Sequence, residues 1–349
     1  MISFALVNVA AESIFRPVAK DIETLNDRLL NQVSPDSHSL CSILQNIFSA
    51  GGKKLRPAVS FLVFRALKFS KKPIYDNAED RLLLIAEIAE LIHTASLVHD
   101  DIIDNSLIRR GAPTTNSKWD NAVTVISGDF MFARAAVNLA KVEINKVVEI
   151  FAIVLENLCS GEIRQVEQKY NTETSWDYYL MKTYNKTASL FEASAKAVTE
   201  LFDLKPMEVR AITTYGKNIG MAFQIIDDIL DLTSDEETLG KPAGADIREG
   251  QINIPLLYAF DTLQYQDPER LAFIKSRIKA IPSGALDVSI DATVKESIKI
   301  CHETGAIDKS YERAADYIKE ATDSLSFLGD SAYKDSLIKL ADFVVNRTK

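Results

Sequence analysis

The chain has 349 residues, 47% of them apolar and 26% charged, with a net charge of −9. That length permits one large domain or two ordinary ones with ample core, and an acidic chain without a basic tail or stripe argues against nucleic acid as a partner. Thirteen glycines and ten prolines are few for this length, and the apolar runs are long and helically spaced, so an all-α protein is expected.

No apolar run approaches the ~18 residues of a membrane span. Residues 1–10 are mildly apolar but lack a basic start, so a secretory leader is not expected. Cys41, Cys159 and Cys301 are widely spaced without a metal-ligand pattern, which fits free thiols in a reducing compartment.

In chain order, an amphipathic helix is expected over residues 15–33, ended by a turn at Ser34-Pro35-Asp36-Ser37, then a helical segment over 40–48. Gly51-Gly52-Lys53-Lys54-Leu55-Arg56-Pro57 breaks the helix and starts another, with Pro57 in the favoured first turn. The plain reading is a basic turn in solvent. The functional one is an anion site, with Lys53 as a mobile point charge and Arg56 as a planar fork near a helix start.

Residues 58–67 read as a buried helix and 70–80 as a polar loop. One long helix is then expected over about 80–105, without Gly or Pro. Asp100, Asp101 and Asp104 stand at i, i+1 and i+4, which makes one acidic edge on a helix. A single such cluster is ordinarily a solvated acidic face. Its repetition at Asp227, Asp228 and Asp231, again inside an apolar helical run, changes the weighting. Hard oxygen ligands in apolar surroundings need cations, and Mg²⁺ is usually completed by phosphate oxygens and water. His93 lies two turns before Asp100 on the same face, and Arg109 and Arg110 follow as two guanidinium forks suited to diphosphate.

Further helices are expected over 121–142, with Gly128-Asp129 at a close-packing point, over 147–168 and over 178–202. The last contains Lys186-Thr187, an isolated cation in an apolar helix that points to an anion or snorkels to solvent. Gln224 precedes the second acidic edge on its own face. Gly240-Lys241-Pro242 opens a flexible basic loop, a helix resumes over 253–260, and amphipathic helices joined by linkers at 265–270 and 281–287 complete the chain.

These residues resemble the trans-isoprenyl diphosphate synthases, in their long-chain branch of octaprenyl and solanesyl type. The motifs are GGKKLRP (51–57), HTASLVHDDIID (93–104), RRG (109–111), GDF (128–130), KTASLF (186–191), FQIIDDILD (223–231) and GKPAGAD (240–246), in family order over roughly residues 45–260. The resemblance implies a single domain over 1–349, an all-α bundle around a deep central cavity, usually a homodimer. It implies condensation of isopentenyl diphosphate onto an allylic diphosphate. Asp100, Asp101 and Asp104 would hold two Mg²⁺, and Asp227, supported by Asp228 and Asp231, a third. Arg109, Lys186 and Lys241 would clamp the allylic diphosphate, while Lys53, Arg56, His93 and Arg110 bind that of isopentenyl diphosphate. Thr187 and Gln224 would present oxygens to the carbocation. Gln251 stands where many members have Lys. A missing cation there should weaken diphosphate binding or alter loop closure, but polar neutral residues occur there in the long-chain branch.

Product length follows from helix geometry, since one turn of ~5.4 Å is close to one isoprene unit. Ala95 and Ser96, one turn before Asp100, are small where short-chain members carry aromatics, and Ile92, Leu91 and Ile88 continue the apolar path. A product of about seven to ten units is expected, suited to a quinone side chain, with Phe130 or Phe132 as a candidate floor. The rivals are a short-chain farnesyl or geranylgeranyl diphosphate synthase, a non-catalytic subunit of a heteromeric synthase, and a class I terpene cyclase, which would need no isopentenyl site. The expected setting is the cytoplasm or an organelle's stroma or matrix, with at most peripheral membrane contact for product release.

Overall fold

The computed structural model describes residues 13–31, 38–49, 51–109, 112–234, 243–283 and 289–346. The chain is all-α, as its composition predicts, and divides into two compact units: Met1–Leu155 with Leu190–Gly216 and Thr322–Leu340, and Glu156–Ser189 with Lys217–Ala321 and Ala341–Lys349.

In the first unit residues 13–15 are helical, a short 3-10 turn follows at Arg16–Val18, set by Pro17, and the chain continues into α1 (Ala19–Leu30) and α2 (His38–Ser49). The predicted turn at 34–37 lies outside the described residues. Gly51 and Gly52 both take positive φ, 76° and 154°. Only glycine adopts these angles at little cost, and they redirect the chain into α3 (Leu55–Ser70), whose residues 55–64 are all buried.

The acidic edge rides on α4 (Ala78–Ile103). Glu79 and Asp80 in its first turn oppose the helix dipole favourably, and it ends where Asn105 enters the left-handed region at φ 50°. Ile85, Ile88, Ala89, Ile92 and Ala95 have no exposed surface, because α4 packs against both α3 and α5 (Asn121–Val142). Each buried isoleucine among them contributes roughly 1.5–3 kcal/mol. Between α4 and α5, strands β1 (Ile108–Arg109) and β2 (Ala112–Pro113) pair antiparallel. The side chain of Asp120 caps α5 by accepting the Val123 N–H.

One expectation needs correction. By length and mean hydropathy, 1.5 and 1.2 over an 18-residue window, α4 and α5 are each long and apolar enough to cross a membrane. Neither contains an unbroken apolar run of that length, because scattered polar residues interrupt both. For α4 the tertiary context is plain: 61% of its window is buried in the protein, as in the core helix of a globular unit.

The second unit takes the later part of α6 (Asn145–Glu167), then α7 (Trp176–Thr183), and the later part of α9 (Pro206–Thr233). The single helix expected over 178–202 is interrupted by a π-helical turn at Tyr184–Ala188, which separates α7 from α8 (Ser189–Thr199). Helices α10 (Ile254–Gln266), α11 (Pro268–Ala280) and α12 (Ile290–Glu303) pack on one another. The linker expected at 265–270 shrinks to Asp267, whose side chain caps α11 while Pro268 restarts the helix. Helices α13 (Ala306–Ser324) and α14 (Ala332–Asn346) complete the chain.

Candidate active site

In the first unit the end of α4 delivers Asp100 and Asp104 half-buried and Asp101 buried. Arg109 Nε, carried on β1, donates to Asp101 Oδ1 at 2.7 Å. Burial pushes the Asp101 carboxyl above its usual pKa, Arg109 opposes that shift, and the charge of Asp104 adds to it. The turn between them is held by Asn116, whose side-chain amide donates to the Asp101 and Ser106 carbonyls at 3.3 and 3.1 Å.

A cavity of about 80 Å³ opens beside this pair, and Lys54, Glu90, His93, Asp101 and Arg109 are among its walls. Three residues singled out from sequence, His93, Asp101 and Arg109, therefore share one space. The two lysines of the glycine-rich turn take different roles. Lys53 is exposed. Lys54 is buried with φ 47° and forms an ion pair with Glu90 at 2.8 Å, both side chains under 10% exposed. Arg56 is buried with its guanidinium 4.4 Å above the Phe191 ring. Ala95 and Ile92 are fully enclosed, whereas Ser96 is half-buried and donates to the His93 carbonyl at 2.9 Å.

The second unit assembles a different network. Asp228 is buried and both its oxygens are engaged: Tyr179 Oη donates to Oδ2 at 2.7 Å and Gln224 Nε2 donates to Oδ1 at 2.9 Å. Thr187 Oγ1 in turn donates to Gln224 Oε1 at 2.7 Å, so a continuous chain of bonds fixes which face of the Gln224 amide points where. Burial, and next the charge of Asp246, raise the Asp228 pKa from its ordinary 3.8 to about 6. Asp231 is buried and holds the following turn, its Oδ2 accepting the Asp246 N–H at 3.1 Å and its carbonyl the Gly244 N–H at 2.8 Å. Asp227 alone of the three is half-buried. Lys186, the cation expected to seek an anion, meets Glu162 at 2.9 Å. Gln251 is buried; its N–H donates to the Asp246 carbonyl, and its side-chain nitrogen has no hydrogen-bond partner among the described residues. Arg110 and Lys241 lie outside the described residues.

Sequence reasoning missed Glu90, Glu162 and Tyr179. A signal existed for Tyr179, which stands seven residues before Lys186 at helical spacing. None existed for the glutamates, whose partners are 36 and 24 residues distant.

Among the described residues, no three His, Cys, Asp or Glu side chains converge to cage a metal. The donor set nevertheless suits Mg²⁺, a hard cation that takes one or two carboxylates and fills its remaining positions with water and phosphate oxygens. Carboxylate oxygens beside guanidinium and ammonium groups form a surface that can receive a phosphorylated ligand together with its cation.

The polyprenyl synthetase family matches residues 37–285. Solanesyl diphosphate synthase 1, chloroplastic, of Arabidopsis thaliana is 37% identical, covering 94% of this chain and 77% of its own. A Caulobacter crescentus polyprenyl synthase, solved with calcium and isoprenyl diphosphate, superposes with a TM-score of 0.85 at 31% identity, over 97% of this chain and 98% of its own. A geranylgeranyl pyrophosphate synthetase of Pyrococcus horikoshii gives 0.81 at 32% identity, over 96% and 99%.

Proposed function

The chain belongs to the polyprenyl synthetase family, and from that premise we propose that it condenses isopentenyl diphosphate head-to-tail onto an allylic diphosphate, making an all-trans polyprenyl diphosphate of about seven to ten isoprene units. The observation that carries this reading is the cavity whose wall presents His93, Asp101 and Arg109 together.

The task of the site is to make diphosphate leave. Arg109, Lys186 and Lys241 hold the allylic diphosphate and stabilise the charge that grows on it as the carbon–oxygen bond breaks. Lys53, Arg56, His93 and Arg110 hold isopentenyl diphosphate so that its double bond meets the allylic carbon, which places the reacting atoms in contact without a diffusional search. A carbon–carbon bond forms, and a proton leaves the adjacent carbon to an oxygen of the departed diphosphate, so no protein base is needed. Thr187 and Gln224, linked by their 2.7 Å bond, keep oxygen lone pairs beside the cationic carbon. When bound, Mg²⁺ supplies positive charge against the leaving group, two ions on Asp100, Asp101 and Asp104 and a third on Asp227 with Asp228 and Asp231 in support.

The long product is supported by the small residues Ala95 and Ser96 and by likeness to a solanesyl synthase. The shared fold is silent on length, since a geranylgeranyl synthetase has it too. We also read the chain as one synthase domain that pairs with a second copy, because Val125, Ile126 and Val137 of α5 leave apolar side chains at least 40% exposed. Its setting is the cytoplasm or an organelle's stroma or matrix.

The test is product sizing after incubation with Mg²⁺, farnesyl diphosphate and labelled isopentenyl diphosphate. A ladder ending at about thirty-five to fifty carbons is expected, at five carbons per turn of path, shortened by Ser96→Phe and by Ala95→Phe. A stop at fifteen or twenty carbons points to the short-chain alternative, and no elongation to a non-catalytic subunit.

A further inference from the structure

Lys182 has no place in the chemistry above, yet it sits inside the second cluster. It lies on α7 one turn before Lys186, so the two side chains leave the same face. The charges it feels most strongly after burial are Asp228 and Asp246, which attract it, and Lys186, which repels it. Its ammonium rests 5.6 Å from the centre of the Tyr179 ring, the ring whose hydroxyl is given to Asp228.

The two lysines are differently satisfied. Lys186 has Glu162 at 2.9 Å. Among the described residues no carboxylate forms an ion pair with Lys182, and Asp228, its strongest attractor, already has one donor on each oxygen. Lys182 is half-buried; an ammonium partly withdrawn from water is costly unless an anion meets it, and a second ammonium one turn away adds repulsion. A multiply charged anion bridging the two would remove both costs together, and a diphosphate has oxygens enough to reach two lysines at once.

We propose that Lys182 is a substrate-binding residue, a second cationic contact beside Lys186 for the diphosphate of the allylic substrate and for the diphosphate released from it. This assignment rests on the synthase reading above.

The experiment uses the full-length protein and inorganic diphosphate as the probe, measured by titration calorimetry with Mg²⁺ and again in EDTA, for wild type, Lys182→Met and Lys182→Arg. Lys182→Met is expected to weaken diphosphate binding roughly tenfold, the scale of one charge-assisted hydrogen bond. It should raise KM for farnesyl diphosphate and leave KM for isopentenyl diphosphate unchanged, and Lys182→Arg should retain most of the affinity. If folded Lys182→Met, checked by circular dichroism, binds diphosphate as wild type does, Lys182 merely balances the charge of Asp228 and Asp246 and the assignment is wrong. If Lys182→Met raises KM for isopentenyl diphosphate as much as KM for farnesyl diphosphate, the substitution disturbs the whole site, which also overturns it. A wild type that neither binds diphosphate nor elongates farnesyl diphosphate would instead sink the synthase reading.

Discussion

Both carboxylate oxygens of Asp228 are engaged by protein donors. Tyr179 and Gln224 occupy one each, and burial raises its pKa to about 6. An acid whose folded pKa exceeds its unfolded value binds more protons when folded, so stability falls as pH rises through the interval between the two, here about 4 to 6. In metal-free protein, held in EDTA, Asp228→Asn should make this slope shallower while keeping an oxygen for the Tyr179 hydroxyl. Urea unfolding from pH 4 to 7 measures it, and identical slopes for variant and wild type would refute the account. The residue itself was legible from its spacing in QIIDDILD. Its state was not, because Tyr179 is 49 residues away.

At the scale of elements, α4 and α5 were legible to within about two residues, since helically spaced apolar residues and sharp ends leave little freedom. The π turn at Tyr184–Ala188 was not. Nothing local marks it; Asn185 there packs against Gly161 of α6, where an added Cβ would lie 3.0 Å from Asn185 Cβ. A tighter approach occurs in the first unit at Gly216 of α9. A Cβ there would lie 2.7 Å from the Phe191 carbonyl oxygen of α8. Backbone cannot swing aside as a side chain can, so Gly216→Ala should destabilise the protein by about 1–3 kcal/mol, read as a lowered Tm. An unchanged Tm would mean that α8 and α9 separate at little cost. Gly128→Ala should be milder, because the obstacle there is the His99 ring, which can rotate.

For the whole molecule, the exposed apolar residues of α5 carry the prediction. Val125, Ile126 and Val137 are 40%, 63% and 44% exposed, and a second copy is the occupant we expect. Sedimentation equilibrium should give twice the 38.8 kDa chain mass, and Ile126→Glu should shift it toward one chain, because a carboxylate withdrawn into an apolar interface has no partner there. A wild type that sediments at the single-chain mass would dispose of the pairing.

Helix class, the two acidic edges and the glycine break were determined by the sequence alone, because each depends on neighbours within a turn or two and helical geometry converts spacing directly into position. The choice among charges was left to the tertiary structure. Local reading favours Lys53 as the useful cation of its turn, but packing buries Lys54 and gives it Glu90. It also turns Arg109 onto Asp101 and ties Lys186 to Glu162. Such pairs join residues from separate elements, and an ion pair's partner is set by which side chains are withdrawn from water together, a property that no local spacing encodes.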